Sequence, residues 1–89
     1  EITDTLKLFK NIIEENEFIK SHIDKYASLT KREKEILKLY ASGKKHKEIS
    51  VQLFLSNETV KTHWRNIKKK LEIKFFNDII KYAKAFDLN

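Results

Sequence analysis

Lys61, Thr62 and Arg65, flanked by Glu58 and Lys69, recur at three- and four-residue spacing in the segment from Ser56 to Leu71. At 3.6 residues per turn that spacing puts all five on one side of a helix. The chemistry they offer is recognition. A guanidinium fork can donate to both O6 and N7 of a guanine, which discriminates by about 1–3 kcal/mol, and a threonine methyl fits against the methyl of thymine. Lysine ammonium groups neutralise phosphates or touch base edges. Glu58 can accept from a cytosine amino group, but an acid in a first helical turn is adequately explained by the helix dipole, and that is the favoured reading. On the other side Val60, Trp64, Ile67 and Leu71 repeat at the same spacing and form a core stripe. A helix with an apolar back and a Lys-Thr-Arg front suits a DNA groove.

Other reactive residue types carry less. His22, His46 and His63 lie far apart with no metal-ligand spacing, so no metal site is expected. His63 has a structural role at the flank of this helix, with a phosphate contact as its functional reading. Trp64 is a packing residue rather than a base-stacking platform. Lys68-Lys69-Lys70 is either a solvated face or, beside Arg65, a track along a nucleic-acid backbone. No paired carboxylates, catalytic triad or phosphate-binding loop occur, so an enzyme is the least favoured class and no cofactor is expected.

The elements that must carry these side chains follow from composition. One glycine and no proline in 89 residues describe an all-α chain with few loops, and five helices are expected. The first covers roughly Ile2 to Tyr26. The second is capped by Thr30, completes a capping box with Glu33, buries Ile36, Leu37 and Tyr40, and ends before Gly43. The third runs from about Lys45 to Leu53 and buries Ile49 and Leu53, and Phe54 and Leu55 enter a tight turn. The fourth is capped by Ser56, whose hydroxyl can accept from the amide of Glu58 or Thr59, and it continues to about Leu71. Asn77 is the expected cap of the fifth, which carries Ile79, Ile80, Ala83 and Phe86 on one side.

Bulk properties narrow the partner. A chain this short buries about two thirds of its unfolded surface, enough for one small domain. There is no cysteine, which fits a reducing compartment, and no run of eighteen apolar residues or signal-peptide pattern. The lack of methionine and the start at Glu1 read as a piece of a longer protein. The net charge of +6 is uneven: residues 1–28 hold four Lys against six acids, residues 29–70 hold twelve Lys and Arg against four Glu, and residues 71–89 balance at three each. Positive charge therefore coincides with the helix-turn-helix pattern, which favours a polyanion partner.

Four linked stretches resemble the LuxR/FixJ/NarL-type helix-turn-helix domain. They are Leu29-Thr30-Lys31-Arg32-Glu33-Lys34-Glu35-Ile36-Leu37; Gly43 with Lys47-Glu48-Ile49; Leu55-Ser56 with Thr59-Val60-Lys61-Thr62-His63; and Ile67 with Lys70-Leu71. The resemblance covers about residues 29–88. It implies an all-α, four-helix helix-turn-helix DNA-binding domain at residues 29–89, preceded by a long amphipathic N-terminal helix at residues 1–28. It also implies the output domain of a bacterial, cytoplasmic transcription regulator without enzymatic activity. Double-stranded DNA is the implied partner, bound as a homodimer, with RNA polymerase a further candidate and no membrane contact. The recognition helix, about residues 57–71, would enter the major groove. Base contacts carry over to Lys61, Thr62 and Arg65, and backbone contacts to Asn57, Thr59, His63 and Lys69. Lys70 falls at the family's structural lysine. The final helix, here with Ile80 and Ala83, is a common dimer contact in the family.

Two departures from the pattern matter. Glu72 stands where the family has a glycine after the Lys-Leu pair, and a non-glycine residue in a left-handed cap costs roughly 1 kcal/mol, so a changed helix exit is expected. Phe75-Phe76-Asn77 replaces a polar Ser-Arg-Thr and should enlarge an apolar contact, in the core or at a partner surface.

The N-terminal segment adds a pattern of its own. Ile2, Phe9, Asn16 and Ile23 recur every seven residues, and Thr5, Ile12, Ile19 and Tyr26 form the companion series, widened by Leu6 and Ile13. One reading is a coiled-coil dimerisation stalk with Ile12, Asn16, Ile19 and Ile23 in the seam, where a polar Asn16 can fix register. The other is an amphipathic helix folded onto its own domain, and three heptads leave both open, with the balance towards dimerisation. Rival functions are region four of a sigma factor, whose opening and Thr-Val-Lys pattern are similar, and a protein-interaction module. His63 and Lys70-Leu71 fit the LuxR type better than the first, and the polar base-reading residues argue against the second. Richness in lysine, asparagine and isoleucine fits an AT-rich bacterial genome.

Overall fold

The computed structural model describes residues 2–88. They form α1 (Ile2–Ala27), α2 (Lys31–Ala41), α3 (His46–Leu53), α4 (Asn57–Leu71) and α5 (Phe76–Ala85), with no strand among the described residues. Local chemistry explains most boundaries. The Thr30 hydroxyl accepts from the Glu33 amide at 3.1 Å, and the Glu33 carboxylate accepts from the Thr30 amide at 2.9 Å, so the capping box of α2 is formed as its spacing requires. Ser56 caps α4 by accepting from the Thr59 amide at 3.1 Å. Helix α2 closes over Gly43, which takes the left-handed conformation at φ +95°.

Gly43 has three non-glycine counterparts. Phe54, Glu72 and Asp87 also adopt positive φ, at 56°, 56° and 52°. Each is followed by an amide that reaches back five residues, from Leu55 to Ser50, from Ile73 to Lys68 and from Leu88 to Ala83, at 2.9–3.0 Å. The expected change of exit after α4 is therefore not found. The left-handed cap forms with Glu72 in it, and the Lys25 ammonium meets the Glu72 carboxylate at 2.6 Å. That pair holds the carboxyl below its ordinary range and ties α1 to the end of α4.

The start of α5 differs from expectation. Asn77 lies inside the helix, which begins at Phe76. The side chain that satisfies the orphan amides is Asp78, whose Oδ2 accepts from Lys74 and Phe75 at 3.0 and 3.1 Å. Asp78 is the third residue of α5, the position from which a carboxylate reaches back to the amides before the first turn, whereas Asn77 is the second. Phe75 and Phe76 are 72% and 59% exposed, so the pair lies on the surface and not in the core.

The core gathers Ile36 and Leu37 of α2, Ile49 of α3, Val60, Ile67 and Leu71 of α4, and Ile79, Tyr82 and Ala83 of α5. Helix α4 is central and packs on α2 and α3. Helix α1 leans on α5 and α4 through its C-terminal end only. There Phe18 stacks on His22 with centroids 3.9 Å apart, both meet the edge of Tyr82, and Tyr26 stacks on Phe86 at 4.3 Å. Residues 2–17 are exposed, and the molecule measures 51 × 25 × 20 Å. No helix among the described residues is long and apolar enough to cross a membrane.

Candidate nucleic-acid interface

Helix α4 presents two sides. Val60, Ile67 and Leu71 are buried and Trp64 is half-buried, while Glu58, Lys61, Thr62, Arg65 and Lys69 are exposed. The side chains expected to read bases are thus brought together on one open face. Lys61 lies 3.8 Å from Glu58, a solvated pair one turn apart. Thr62 donates its hydroxyl to the Glu58 carbonyl at 2.9 Å, which leaves its methyl and its oxygen lone pairs for a ligand. Among the described residues Arg65 meets no carboxylate, so its five donors are uncommitted.

Of the residues expected at a backbone, Asn57, Thr59 and Lys69 are exposed and His63 is half-buried. The Thr59 hydroxyl already shares a 2.8 Å hydrogen bond with Ser56 and belongs to the helix cap as much as to the face. Two of the three clustered lysines, Lys68 and Lys69, stay in solvent. Lys70 turns inward and donates to Glu33 at 2.7 Å and to the Ser28 carbonyl at 3.5 Å. Burial pushes the Glu33 carboxyl up, but the hydrogen bonds from Lys70 and Thr30 and the Lys70 charge outweigh it, and the group ends below its ordinary value of 4.5. One carboxylate therefore caps α2 and anchors the C-terminal turn of α4.

A second anchor was not legible in the sequence. Trp64 stacks on Tyr40 of α2 at 4.0 Å, and the Tyr40 hydroxyl hydrogen-bonds His46 Nδ1 at the start of α3. Burial pushes the Tyr40 phenol up to about 12, which keeps it protonated. This chain links α2, α3 and α4 at the flank of the exposed face. His46 had shown no ligand spacing, and its partner Tyr40 precedes it across a turn, so periodicity gave no signal of the pair. Among the described residues no group of acids and histidines is arranged to hold a metal ion.

The dimer candidates divide. Ile12 and Ile23 are exposed, Asn16 is exposed, and Ile19 and Ile80 are half-buried. Ala83 is 3% exposed and packs within its own domain, so it is a core residue and not a surface for a partner.

Comparison with known proteins agrees with this geometry. The transcriptional regulatory protein YhcZ of Bacillus subtilis (strain 168), itself uncharacterized, is 44% identical over 66 residues, 74% of this chain and 31% of that protein. The transcriptional regulatory protein LiaR of the same organism is 56% identical over 48 residues, 54% of this chain and 23% of its own length. The uncharacterized response regulatory protein YgeK of Escherichia coli (strain K12) is 42% identical over 82 residues, 92% of this chain and 56% of its own. The chain thus spans between about a quarter and just over half of these relatives. No solved structure matches it. The model of the bacterial regulatory proteins of the luxR family matches residues 27–83, which takes in the capping box, the helix-turn-helix and most of α5. With its helices in that order and its polar face on the fourth, this chain belongs to the luxR family of bacterial regulatory proteins.

Proposed function

We propose that this chain is the sequence-specific DNA-binding output domain of a cytoplasmic transcription regulator, with α4 as the helix that enters the major groove. The observation that carries the reading is the division of α4. Its apolar side is spent on the core, and the side left in solvent holds Lys61, Thr62 and Arg65, the last meeting no carboxylate among the described residues. Lys61, Thr62 and Arg65 read a few base pairs, and Asn57, Thr59, His63 and Lys69 hold the flanking phosphates. The names of the relatives, transcriptional and response regulatory proteins, agree with that role. Phosphate neutralisation by this face releases counterions, so affinity falls steeply with salt. One helix reads too few bases for specificity, which calls for a homodimer on two half-sites, in position to contact RNA polymerase.

The test is fluorescence anisotropy on a pool of random duplex DNA at two salt concentrations, comparing the unmodified chain with Arg65→Ala and Lys61→Ala. Salt-sensitive binding that weakens in both variants supports the reading. A folded chain that binds no duplex at low salt sinks it and favours the protein-interaction module.

A further inference from the structure

We propose that α1 pairs with α1 of a second copy, in parallel and in register, through the heptad seam that its own domain leaves uncovered. The inference names the surface behind the homodimer read above and rests on that reading. The seam residues Ile2, Phe9, Asn16 and Ile23 lie roughly 140–180° around the helix from Phe18, the residue that docks α1 on Tyr82. The C-terminal part of α1 is folded onto its own domain, and the N-terminal part of the seam stays open to a partner. Phe18, His22, Lys25 and Tyr26 face the domain. Ile2 and Phe9 are 79% and 65% exposed, and Ile12 and Ile23 also stand in solvent.

A row of large apolar side chains along a helix of 26 residues, about 39 Å, is more than an isolated soluble helix leaves open without a partner. Three features point to a second copy in parallel orientation. The seam keeps a seven-residue repeat, the period of a left-handed two-stranded supercoil. Asn16 sits at its centre, where in a parallel, in-register pair the two amides meet and hydrogen-bond across the axis. Glu15 and Lys20 flank the seam five residues apart, the spacing at which opposite charges of two parallel helices face each other. An antiparallel pair brings neither the Asn16 amides nor these charges into register. Phe18 and His22 against Tyr82, with the Lys25–Glu72 pair, hold each domain on the far side of α1 from Ile2, Phe9 and Asn16, and Tyr26 turns to its own Phe86, so the pairing runs through the part of the seam N-terminal to it.

The chain contains no cysteine among its residues, which makes disulfide trapping clean. Asn16→Cys puts the thiol in the seam, and Lys7→Cys puts it on the outer side as a control. Under mild oxidation Asn16→Cys is expected to yield a covalent dimer on non-reducing gels and Lys7→Cys to remain monomeric. In sedimentation equilibrium the unmodified chain is expected to dimerise, and Ile12→Asp to raise the dimer dissociation constant by more than about tenfold with its helical circular dichroism retained. A monomer at all concentrations, a trimer or larger assembly, or a dimer that neither cross-links at position 16 nor responds to Ile12→Asp overturns the proposal. Anisotropy on the random duplex separates this failure from failure of the DNA reading. Duplex binding lost in Arg65→Ala, with a chain that never dimerises, overturns the seam alone. Trapping at position 16 in a chain that binds no duplex supports the seam and overturns the DNA reading.

Discussion

Arg65 and Lys69 stand on one face of α4, and the proposed interface gives them different work. Arg65 has a bidentate fork free for a base edge, so Arg65→Ala should lower discrimination at one base pair by about 1–3 kcal/mol. In the proposed complex Lys69 lies at the groove margin, and Lys69→Ala should weaken binding evenly across sequences and reduce the slope of log affinity against log salt by about 1. A binding-site selection for the first and a salt titration for the second check the assignment. Phe54 sits in a left-handed conformation at φ 56° while 95% exposed, so its ring gains little from burial to offset the strain. Phe54→Gly should stabilise the fold by about 0.5–1 kcal/mol in urea denaturation, since glycine takes that conformation without a Cβ clash. The glycine-poor composition hid these caps. It pointed to one left-handed turn, at Gly43, where the described residues make four.

Within elements, the Glu33–Lys70 bond joins the first turn of α2 to the last turn of α4. Glu33 is 3% exposed and loses its charge partner in Lys70→Ala, which should cost about 1–3 kcal/mol. Because the folded carboxyl lies below its ordinary 4.5, its contribution is complete above that value and disappears as pH falls through the lower folded one. The unmodified chain should therefore lose stability on acidification below about 4.5, and Glu33→Gln should flatten that part of the profile, as thermal melts across pH will report. The same element-level logic governs α5, where Asp78 and not Asn77 holds the first amides. Asp78→Ala should lower the melting temperature and Asn77→Ala should leave it nearly unchanged. Asn77 and Asp78 are adjacent and both are good cap residues. Which one caps depends on where α5 starts, and Ile73 and Ile79, both buried, set that start by packing.

Across the whole molecule, charge and shape fall into two regions. The helix-turn-helix segment carries the excess of Lys and Arg, and the N-terminal half of α1 stands out from the domain as an apolar-seamed rod. A parallel α1 pair relates the two domains by a two-fold axis along the stalk, which favours inverted over direct half-sites. Selection from random DNA with the full chain should then enrich palindromic sites, and Ile12→Asp should bind single half-sites of the same sequence with no preference for two.

Residue pattern alone established the five helices, the caps at Thr30 and Ser56, the end of α2 at Gly43, and the division of α4 into apolar and basic sides. These features are set by interactions within about four residues, and such interactions leave a period in the chain. Tertiary structure alone decided the rest. It assigned Ala83 to the core, put Phe75 and Phe76 on the surface, paired Tyr40 with Trp64 and His46, and held Glu72 in a left-handed cap against Lys25. It also turned Phe18 and His22 of α1 towards Tyr82, leaving Ile2, Phe9, Asn16 and Ile23 outward. Each of these is a contact between different helices or across a turn, or a choice of which helical face wins the core, and no local period encodes either.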